Sequence, residues 1–350
     1  MSFPFYFRTL VLFIVLAVGA ACASPPTGPS MYELRGSAMG TSFVVKIVNN
    51  ENKSESQVAL QELVQTELAL VDGLMSHYRP DSELSRFNRH AQTTPFVVSD
   101  ETFAVLAEAA RISDWTKGAF DITVGPLVEA WGFGVAPGDE PPSDALIEEL
   151  RERLGFAKLR LDPEARTVQK NAPRLEGDLS AIAKGYAVDR VAEALESAGF
   201  SRYMVEVGGE VRTAGYNQAG APWQIAIERP DTGVRLLQTT VPLTNASMAT
   251  SGDYRNFYEW KGERFSHTID PRTGRPVNHT LASVTVVSRM CMTADALATA
   301  LLVLGPEDGY RFAVANDVAS LMVVRQPDGS GFEYRSTPAF ERVLSGGGVE

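Results

Sequence analysis

Two oxygen-bearing side chains, Asp295 and Thr299, lie four residues apart in the segment TADALATALLVLG (293–305). In a helix this spacing places both side chains on one face, and carboxylate and hydroxyl oxygens suit a hard cation such as Mg²⁺. The alternative is structural, with a carboxylate favoured by the helix dipole and a threonine bonded to a backbone carbonyl. The spacing alone favours that structural alternative over a metal site.

His267 lies in SHTIDPRTGRP (266–276), where proline and glycine exclude a helix. An imidazole beside a metal-bound phosphate suits general-base chemistry, because its pKa lies near neutral pH. Asp270 before Pro271 is restricted to extended backbone, and Gly274 closes the predicted turn. A surface histidine without a catalytic role is the alternative, and the segment taken alone favours it.

The segment EGDLSAIAKGY (176–186) contains a further candidate pair. We predict that Asp178 lies at a helix N-terminus, a position that attracts phosphate oxygens, with Lys184 about two turns in. The alternative is that Asp178 only caps the helix and Lys184 is solvated. The segment is not a Walker loop, and no Gly-x-Gly-x-x-Gly follows a predicted strand, so a Rossmann dinucleotide site is not supported.

Three glycine-containing segments are predicted to be turns, at GSAMGTS (36–42), VGGE (207–210) and TSGDYR (250–255). Glycine in such positions supplies a positive φ angle or lets the backbone approach a ligand closely. The sequence does not separate these two uses.

The elements that must position these residues are a mixture of amphipathic helices and strands. Helical spacing and caps predict helices from Ser54 to Met75, from Ser99 to Gly118, over 141–155, over 179–199, and from Thr293 to Gly305. Alternation and β-branched residues predict strands over 31–48 with a glycine bend, 202–215, 223–230, 244–269, 320–326 and 331–337. The fold class is therefore α+β, with mixed or antiparallel sheets and packed helices, in one domain over 31–345.

The composition limits the partners. The 350-residue chain has 44% hydrophobic residues, enough for a large core, and a net charge of −11. So acidic a chain repels phosphate backbones, and nucleic acid is therefore not an expected partner. A phosphorylated ligand would need a metal ion or backbone N–H groups.

The N-terminal segment predicts export. Residues 1–22 contain Arg8 and then an apolar run ending in small residues, typical of a signal peptide. The small residues before Cys22 favour lipidation of that cysteine, although Gly19 replaces the usual leucine. Cleavage after Ala23, releasing a soluble protein, is the alternative. Residues 23–30 are predicted to be a flexible tether, and without Cys22 only Cys291 remains, so no internal disulfide is expected.

Seven motifs occur in a single order along the chain. They are GSAMGTS, FDITVGPLVEAWGFG (120–134), GDLSAIAKGYAVD (177–189), VGGE, SGDYRNF, SHTIDPRTGRP and TADALATALLVLG. This order resembles the FAD:protein FMN transferase family, the ApbE proteins, over roughly residues 31–325, and many of those proteins are exported lipoproteins. Each motif is weak by itself, and the ordered set is specific.

The resemblance implies a single T-fold-related catalytic unit that binds FAD with Mg²⁺ and cleaves its pyrophosphate. It implies transfer of FMN to a threonine or serine of an acceptor flavoprotein, such as a subunit of a membrane redox complex, with release of AMP. The implied metal ligands are Asp295, Thr299 and the backbone carbonyl of Ala181, and the implied catalytic residue is His267. The implied FAD contacts are Met39, Tyr78, Ala119, Phe120, Asp121, Asp178, Lys184 and Ile269, with the rings of Tyr78 and Phe120 suited to stacking.

This chain departs from the family pattern at two places. Ser180 and Ala181 stand where two glycines are common, and Ala298 stands where some members have a carboxylate. Two other functions stay open: a Mg²⁺-dependent FAD pyrophosphatase that uses water as acceptor, and a non-catalytic FAD-binding lipoprotein. For the lipid-anchored interpretation, we expect the extracytoplasmic face of a bacterial membrane.

Overall fold

The structure is a computed structural model, and it describes residues 30–49, 55–136, 138–230, 237–254 and 256–348. The predicted leader over 1–22, Cys22, the tether up to residue 29 and Ser54 lie outside the described residues. Among the described helices, none is long and apolar enough to cross a membrane.

Strands and helices are interspersed along the described ranges of the chain. The strands are β1 Ser30–Ala38, β2 Thr41–Asn49, β3 Phe96–Val97, β4 Leu159–Asp162, β5 Thr167–Lys170, β6 Tyr203–Val207, β7 Glu210–Ala214, β8 Trp223–Glu228, β9 Leu237–Leu243, β10 Ser247–Gly252, β11 Phe257–Trp260, β12 Glu263–Ser266, β13 Ile269–Asp270, β14 Arg275–Pro276, β15 Leu281–Ser288, β16 Ala319–Arg325 and β17 Phe332–Ser336. The helices are α1 Gln57–Met75, α2 Glu83–Arg89, α3 Asp100–Trp115, α4 Gly125–Ala130, α5 Asp144–Arg151, α6 Ala183–Ser197, α7 Cys291–Ala315 and α8 Pro338–Leu344.

One eight-stranded sheet organises the fold, in the order β1-β2-β6-β7-β10-β15-β16-β17. Every neighbouring pair in it is antiparallel. Two tight turns, Met39–Gly40 and Gly208–Gly209, join the hairpins β1–β2 and β6–β7, where the sequence predicted glycine bends. The predicted α+β class with antiparallel sheets is confirmed.

Both faces of the sheet are covered, which follows from the alternation of side chains along each strand. On β15, Val286 joins the main core beneath α1, α3, α6 and α7, whereas Val287 joins a smaller core. That smaller core lies under α8 and the hairpin β8–β9. A third apolar cluster surrounds Trp131 and is formed mainly by α4, α5 and Ile269.

Several predicted element ends are corrected by the structure. Helix α1 has Ser56 as its N-cap, whose side chain accepts from the Ala59 amide. Helix α7 begins at Cys291, and Thr293 is not its cap, because the Thr293 hydroxyl donates to Glu108 instead. Gly305 (φ 84°) does break this helix, but helical backbone resumes at Pro306, and proline is favourable in a first turn.

Helix α6 begins at Ala183, not near residue 179 as predicted. Ile182, the residue before it, has φ −149°, which is outside the helical region. Asp178 therefore does not lie at the helix N-terminus, and Lys184 is the second helical residue rather than two turns in. The apolar periodicity across 179–199 did not reveal this start. Leu179 and Ile182 lie in the loop before the helix, but they are buried and so continue the apolar pattern of the helix.

Helices α6 and α7 pack unusually closely at Gly185. A Cβ atom at this position would lie 2.5 Å from the carbonyl oxygen of Cys291, which is a backbone atom. One turn further along α6, the fully buried Asp189 accepts hydrogen bonds from the amides of Cys291 and Met292 and from Arg212. Asp189 thereby satisfies free N–H groups at the start of α7.

We expect Gly185→Ala to destabilise the protein by about 1–3 kcal/mol, because the added methyl group forces the two helices apart. Urea unfolding followed by circular dichroism measures this. The matched control is Gly73→Ala in α1, where a Cβ atom meets nothing within 4 Å. That substitution should stabilise the protein by about 0.5–1 kcal/mol. An equal effect at the two glycines would contradict the close helix contact.

Candidate functional site

A cavity of about 530 Å³ opens beside the N-terminal end of α6, at the ends of β10 and of the hairpin β6–β7. This volume lies in the range of small-molecule sites. The cavity brings together all of the sequence-predicted site residues except Met39: Tyr78, Ala119, Phe120, Asp121, Asp178, Ala181, Lys184, His267, Ile269, Asp295 and Thr299.

Met39 is the one candidate that does not line the cavity. It occupies the β1–β2 turn with φ 52°, and its side chain packs against the main core. The turn is close to the cavity wall, since the amide of Gly208, a lining residue, donates to the carbonyl of Ser42.

Asp295 and Thr299 project from one face of α7, as the spacing predicted. The Asp295 side chain is almost fully buried, and its Oδ2 accepts a hydrogen bond of 3.0 Å from the Gly185 amide. The Thr299 hydroxyl shares a hydrogen bond of 3.0 Å with the Ser251 hydroxyl on β10. Two hydroxyls and one carboxylate therefore meet between α7 and the sheet.

The start of α6 bears on the role of Ala181. Ile182 is the N-cap of α6 and has non-helical backbone, so the Ala181 carbonyl lies before the cap and has no α-helical i+4 partner. The Gly185 amide belongs to the first turn of α6, where an amide lacks an intrahelical partner, and it donates to Asp295 instead. Ala181 lines the cavity, and its carbonyl is therefore a candidate backbone ligand.

Lys184 lies between two carboxylates. Its Nζ donates to Glu210 Oε1 at 2.8 Å and lies 3.7 Å from Asp295 Oδ1. Burial by itself lowers the pKa of Lys184, but Asp295 and Glu210 together raise it above its ordinary value, so the ammonium stays charged. Burial raises the pKa of Glu210 above its ordinary value, an effect that Lys184 opposes and Asp295 reinforces.

Asp178 and Ser180 lie in the loop before α6 and contact a second histidine of the cavity. Asp178 Oδ1 accepts from the Ser180 amide and hydroxyl, and His77 Nδ1 lies 3.5 Å from the same oxygen. The Asp178 amide donates to the carbonyl of Ile122, joining this loop to the segment that contains Phe120 and Asp121.

Asp121 holds its own loop together. Its Oδ1 accepts from the amide and hydroxyl of Thr123, and its Oδ2 accepts from the Phe156 amide. Burial raises the pKa of Asp121 despite these bonds. Both carboxylate oxygens are therefore engaged by protein groups, and the backbone of this loop is the surface that it offers to a ligand.

The two predicted stacking aromatics differ in exposure. Phe120 is 3% exposed and belongs to the main core, whereas Tyr78 is 61% exposed. The Tyr78 ring packs against His77 in a tilted arrangement, with 4.0 Å between ring centroids and 38° between ring planes. Of these two aromatics, Tyr78 is therefore the one with free surface at the cavity.

His267 follows β12 and precedes the small hairpin β13–β14, which contains the predicted turn. Its Nδ1 lies 3.0 Å from the carbonyl oxygen of Asn256. Since a carbonyl only accepts, Nδ1 carries the proton in the neutral ring, and Nε2 keeps a lone pair. Burial lowers the pKa of His267, although the Asn256 carbonyl and Asp253 oppose this, so the ring is neutral at neutral pH.

The lining residues that the sequence did not indicate include three that contact predicted site residues: Glu210, His77 and Ser251. Glu210 directly follows the two glycines of VGGE, and His77 directly precedes Tyr78. Ser251 lies within TSGDYR, which was recognised as a turn but not as a source of a hydroxyl. The available signal was a polar side chain within a glycine motif for Glu210 and Ser251, and beside a predicted site residue for His77.

Comparison with known proteins gives the family. The ApbE family profile matches residues 39–322. The FAD:protein FMN transferase of Vibrio cholerae serotype O1 is 44% identical over 337 residues, covering 96% of this chain and 98% of that protein. The FAD:protein FMN transferase of Haemophilus influenzae is 42% identical over 337 residues, covering 94% and 96%.

Solved structures agree with these relatives. The flavin transferase ApbE from Vibrio cholerae has a TM-score of 0.83 at 43% identity, covering 90% of this chain and 100% of that one. The apo form of the Pseudomonas stutzeri flavinyl transferase ApbE has a TM-score of 0.84 at 37% identity, covering 93% and 100%. Because the profile and the relatives both span nearly the whole described fold, this chain belongs to the ApbE family.

Proposed function

We propose that this chain is an FAD:protein FMN transferase, which cleaves the pyrophosphate of FAD and joins FMN to a threonine or serine of an acceptor flavoprotein. The observation that carries the proposal is the convergence of the family-implied residues, all except Met39, on one cavity. Near-complete coverage of relatives with that name supports it.

The donor atoms of the cavity fit a hard divalent cation. Asp295, Thr299 and the Ala181 carbonyl provide a carboxylate, a hydroxyl and a backbone oxygen, which are ligand types that Mg²⁺ accepts together with water. Among the described residues, no group of three or more His, Cys, Asp or Glu side chains could hold a metal. The expected set is compatible with this finding, because only one of its members is of those types.

A bound Mg²⁺ would stabilise negative charge on the phosphoryl oxygens. Lys184 adds a permanent positive charge beside the same place, and both charges offset the repulsion between a pyrophosphate and this acidic chain. The backbone over 119–121 and the exposed ring of Tyr78 provide contact surface for the rest of FAD.

His267 is the proposed general base. Its protonated Nδ1 is held by Asn256, so the lone pair on Nε2 is available to accept the proton of the incoming hydroxyl. Its lowered pKa keeps that lone pair available at neutral pH.

The deciding experiment mixes the purified protein with FAD, Mg²⁺ and a candidate acceptor subunit, and follows the products by intact mass and in-gel flavin fluorescence. We expect covalent FMN on the acceptor and one AMP released for each FMN transferred. Free FMN with an unmodified acceptor would instead identify an FAD pyrophosphatase. Stoichiometric FAD that is unchanged by Mg²⁺ would identify a flavin-binding protein without catalysis.

We expect Thr299→Val to lower the transfer rate by roughly 100-fold or more at fixed Mg²⁺, because a metal ligand contributes several kcal/mol of charge stabilisation. Thr299→Ser keeps the hydroxyl and should stay within about tenfold of the parent. The rates are measured by AMP release. Equal losses in both variants would show that the hydroxyl does not act as a ligand.

We expect His267→Ala to lower kcat by about 10²- to 10⁴-fold, the usual contribution of a general base. In the unsubstituted protein at saturating Mg²⁺, kcat should fall as the pH drops through the lowered pKa of His267, below its ordinary value of 6.5. His90→Ala is the control, since His90 lies outside the cavity and contacts Thr94. A near-normal kcat for His267→Ala would remove this residue from the mechanism.

The proposed location is the extracytoplasmic face of a bacterial membrane, with a lipid on Cys22. The sequence of residues 1–22 supports it. We expect Cys22→Ala to move the protein from the membrane fraction to the soluble fraction without loss of transferase activity. Immunoblots of fractionated cells measure this. If the unsubstituted protein and Cys22→Ala are both found in the soluble fraction, cleavage after Ala23 is favoured.

A further inference from the structure

Glu210 is a buried carboxylate with one free oxygen at the cavity. Its side chain is 5% exposed, and Oε1 accepts from Lys184 at 2.8 Å. Its Oε2 is buried without a hydrogen-bond partner among the described residues. A buried carboxylate oxygen without a donor is costly, which indicates that the position of Glu210 serves a purpose other than stability.

The glycine turn before β7 builds this position. Gly208 and Gly209 have φ angles of 62° and 106°, which favour glycine. A Cβ atom at Gly208 would lie 2.9 Å from the Thr41 side chain and 3.4 Å from Glu210 Oε2. The turn therefore lies against β2 on one side and close to the Glu210 carboxylate on the other.

Lys184 is shared unequally between Glu210 and Asp295. Its Nζ lies 2.8 Å from Glu210 Oε1 but 3.7 Å from Asp295 Oδ1. The lysine side chain is long and flexible. If the charge of Glu210 were lost, Asp295 would be the carboxylate still within ion-pair distance, and the ammonium would move toward it.

Such a movement would matter for a metal ion. An ammonium bound directly to Asp295 Oδ1 would occupy an oxygen that a divalent cation needs, because Oδ2 already accepts from the Gly185 amide. We propose that Glu210 is a positioning residue that holds Lys184 away from Asp295 and so keeps Asp295 Oδ1 available to Mg²⁺. This inference rests on the proposed function, since it assumes the metal site at Asp295.

The test is direct binding of Mn²⁺ to the full chain without FAD, followed by electron paramagnetic resonance of free Mn²⁺. We expect Glu210→Gln to raise the Kd for Mn²⁺ by about tenfold, the scale of coupling between charged residues in contact. In a Lys184→Met background, the same substitution should change the Kd by less than about twofold, because no ammonium remains to be positioned. An equal increase in both backgrounds would overturn the proposal and show that Glu210 acts through its own charge.

Glu210→Asp provides a second measurement that is less demanding on folding. This substitution keeps the negative charge but shortens the side chain by one methylene. If Glu210 positions Lys184, Mn²⁺ binding should weaken; if Glu210 acts only through its charge, the Kd for Mn²⁺ should not change. An unchanged Kd in Glu210→Asp would contradict the proposal. Thermal unfolding of each variant confirms that folded protein is compared.

Asp295→Asn separates this inference from the metal site itself. The asparagine oxygen can still accept from Gly185, but the carboxylate is lost. If the unsubstituted chain holds no Mn²⁺, or holds it equally after Asp295→Asn, the metal site is wrong and the inference falls with it. If Mn²⁺ binding depends on Asp295 but not on Glu210, the inference about Glu210 is overturned and the metal site is retained.

Discussion

The site depends on how closely α6 approaches α7. Gly185 lets the backbone of α6 contact the carbonyl of Cys291, and the Gly185 amide then donates to the Asp295 carboxylate. This one hydrogen bond holds the Asp295 carboxylate and satisfies an amide in the first turn of α6 that has no partner within the helix. The close approach thereby places Asp295 of α7 and Ala181, just before α6, on the wall of one cavity.

The charge distribution of the cavity fits its place in an acidic protein. Asp295 and Glu210 carry the negative charge, Lys184 lies between them, and the group as a whole has a deficit of positive charge. The Mg²⁺ ion of the proposed function would offset this deficit where a phosphorylated ligand binds.

The sequence was informative where chemistry depends on spacing within one element. The four-residue spacing of Asp295 and Thr299 and the start of α3 after Ser99 needed only local geometry. The resemblance supplied the cavity residues from distant parts of the chain, because their meeting depends on the antiparallel sheet order and not on any local pattern. The start of α6 was mispredicted since buried Leu179 and Ile182 extend the helical pattern into a loop. Glu210 was missed because its importance arises from Lys184, which is 26 residues away in sequence.

The partner of the His267 ring is a main-chain carbonyl. A side-chain carboxylate in that position could be exchanged by a single codon change, and the tautomer of the imidazole would change with it. A carbonyl of the backbone is present whatever residue stands at position 256. The proton arrangement of the ring is therefore protected from point mutation at that position, and it would be lost only if the path of the chain between β10 and β12 changed.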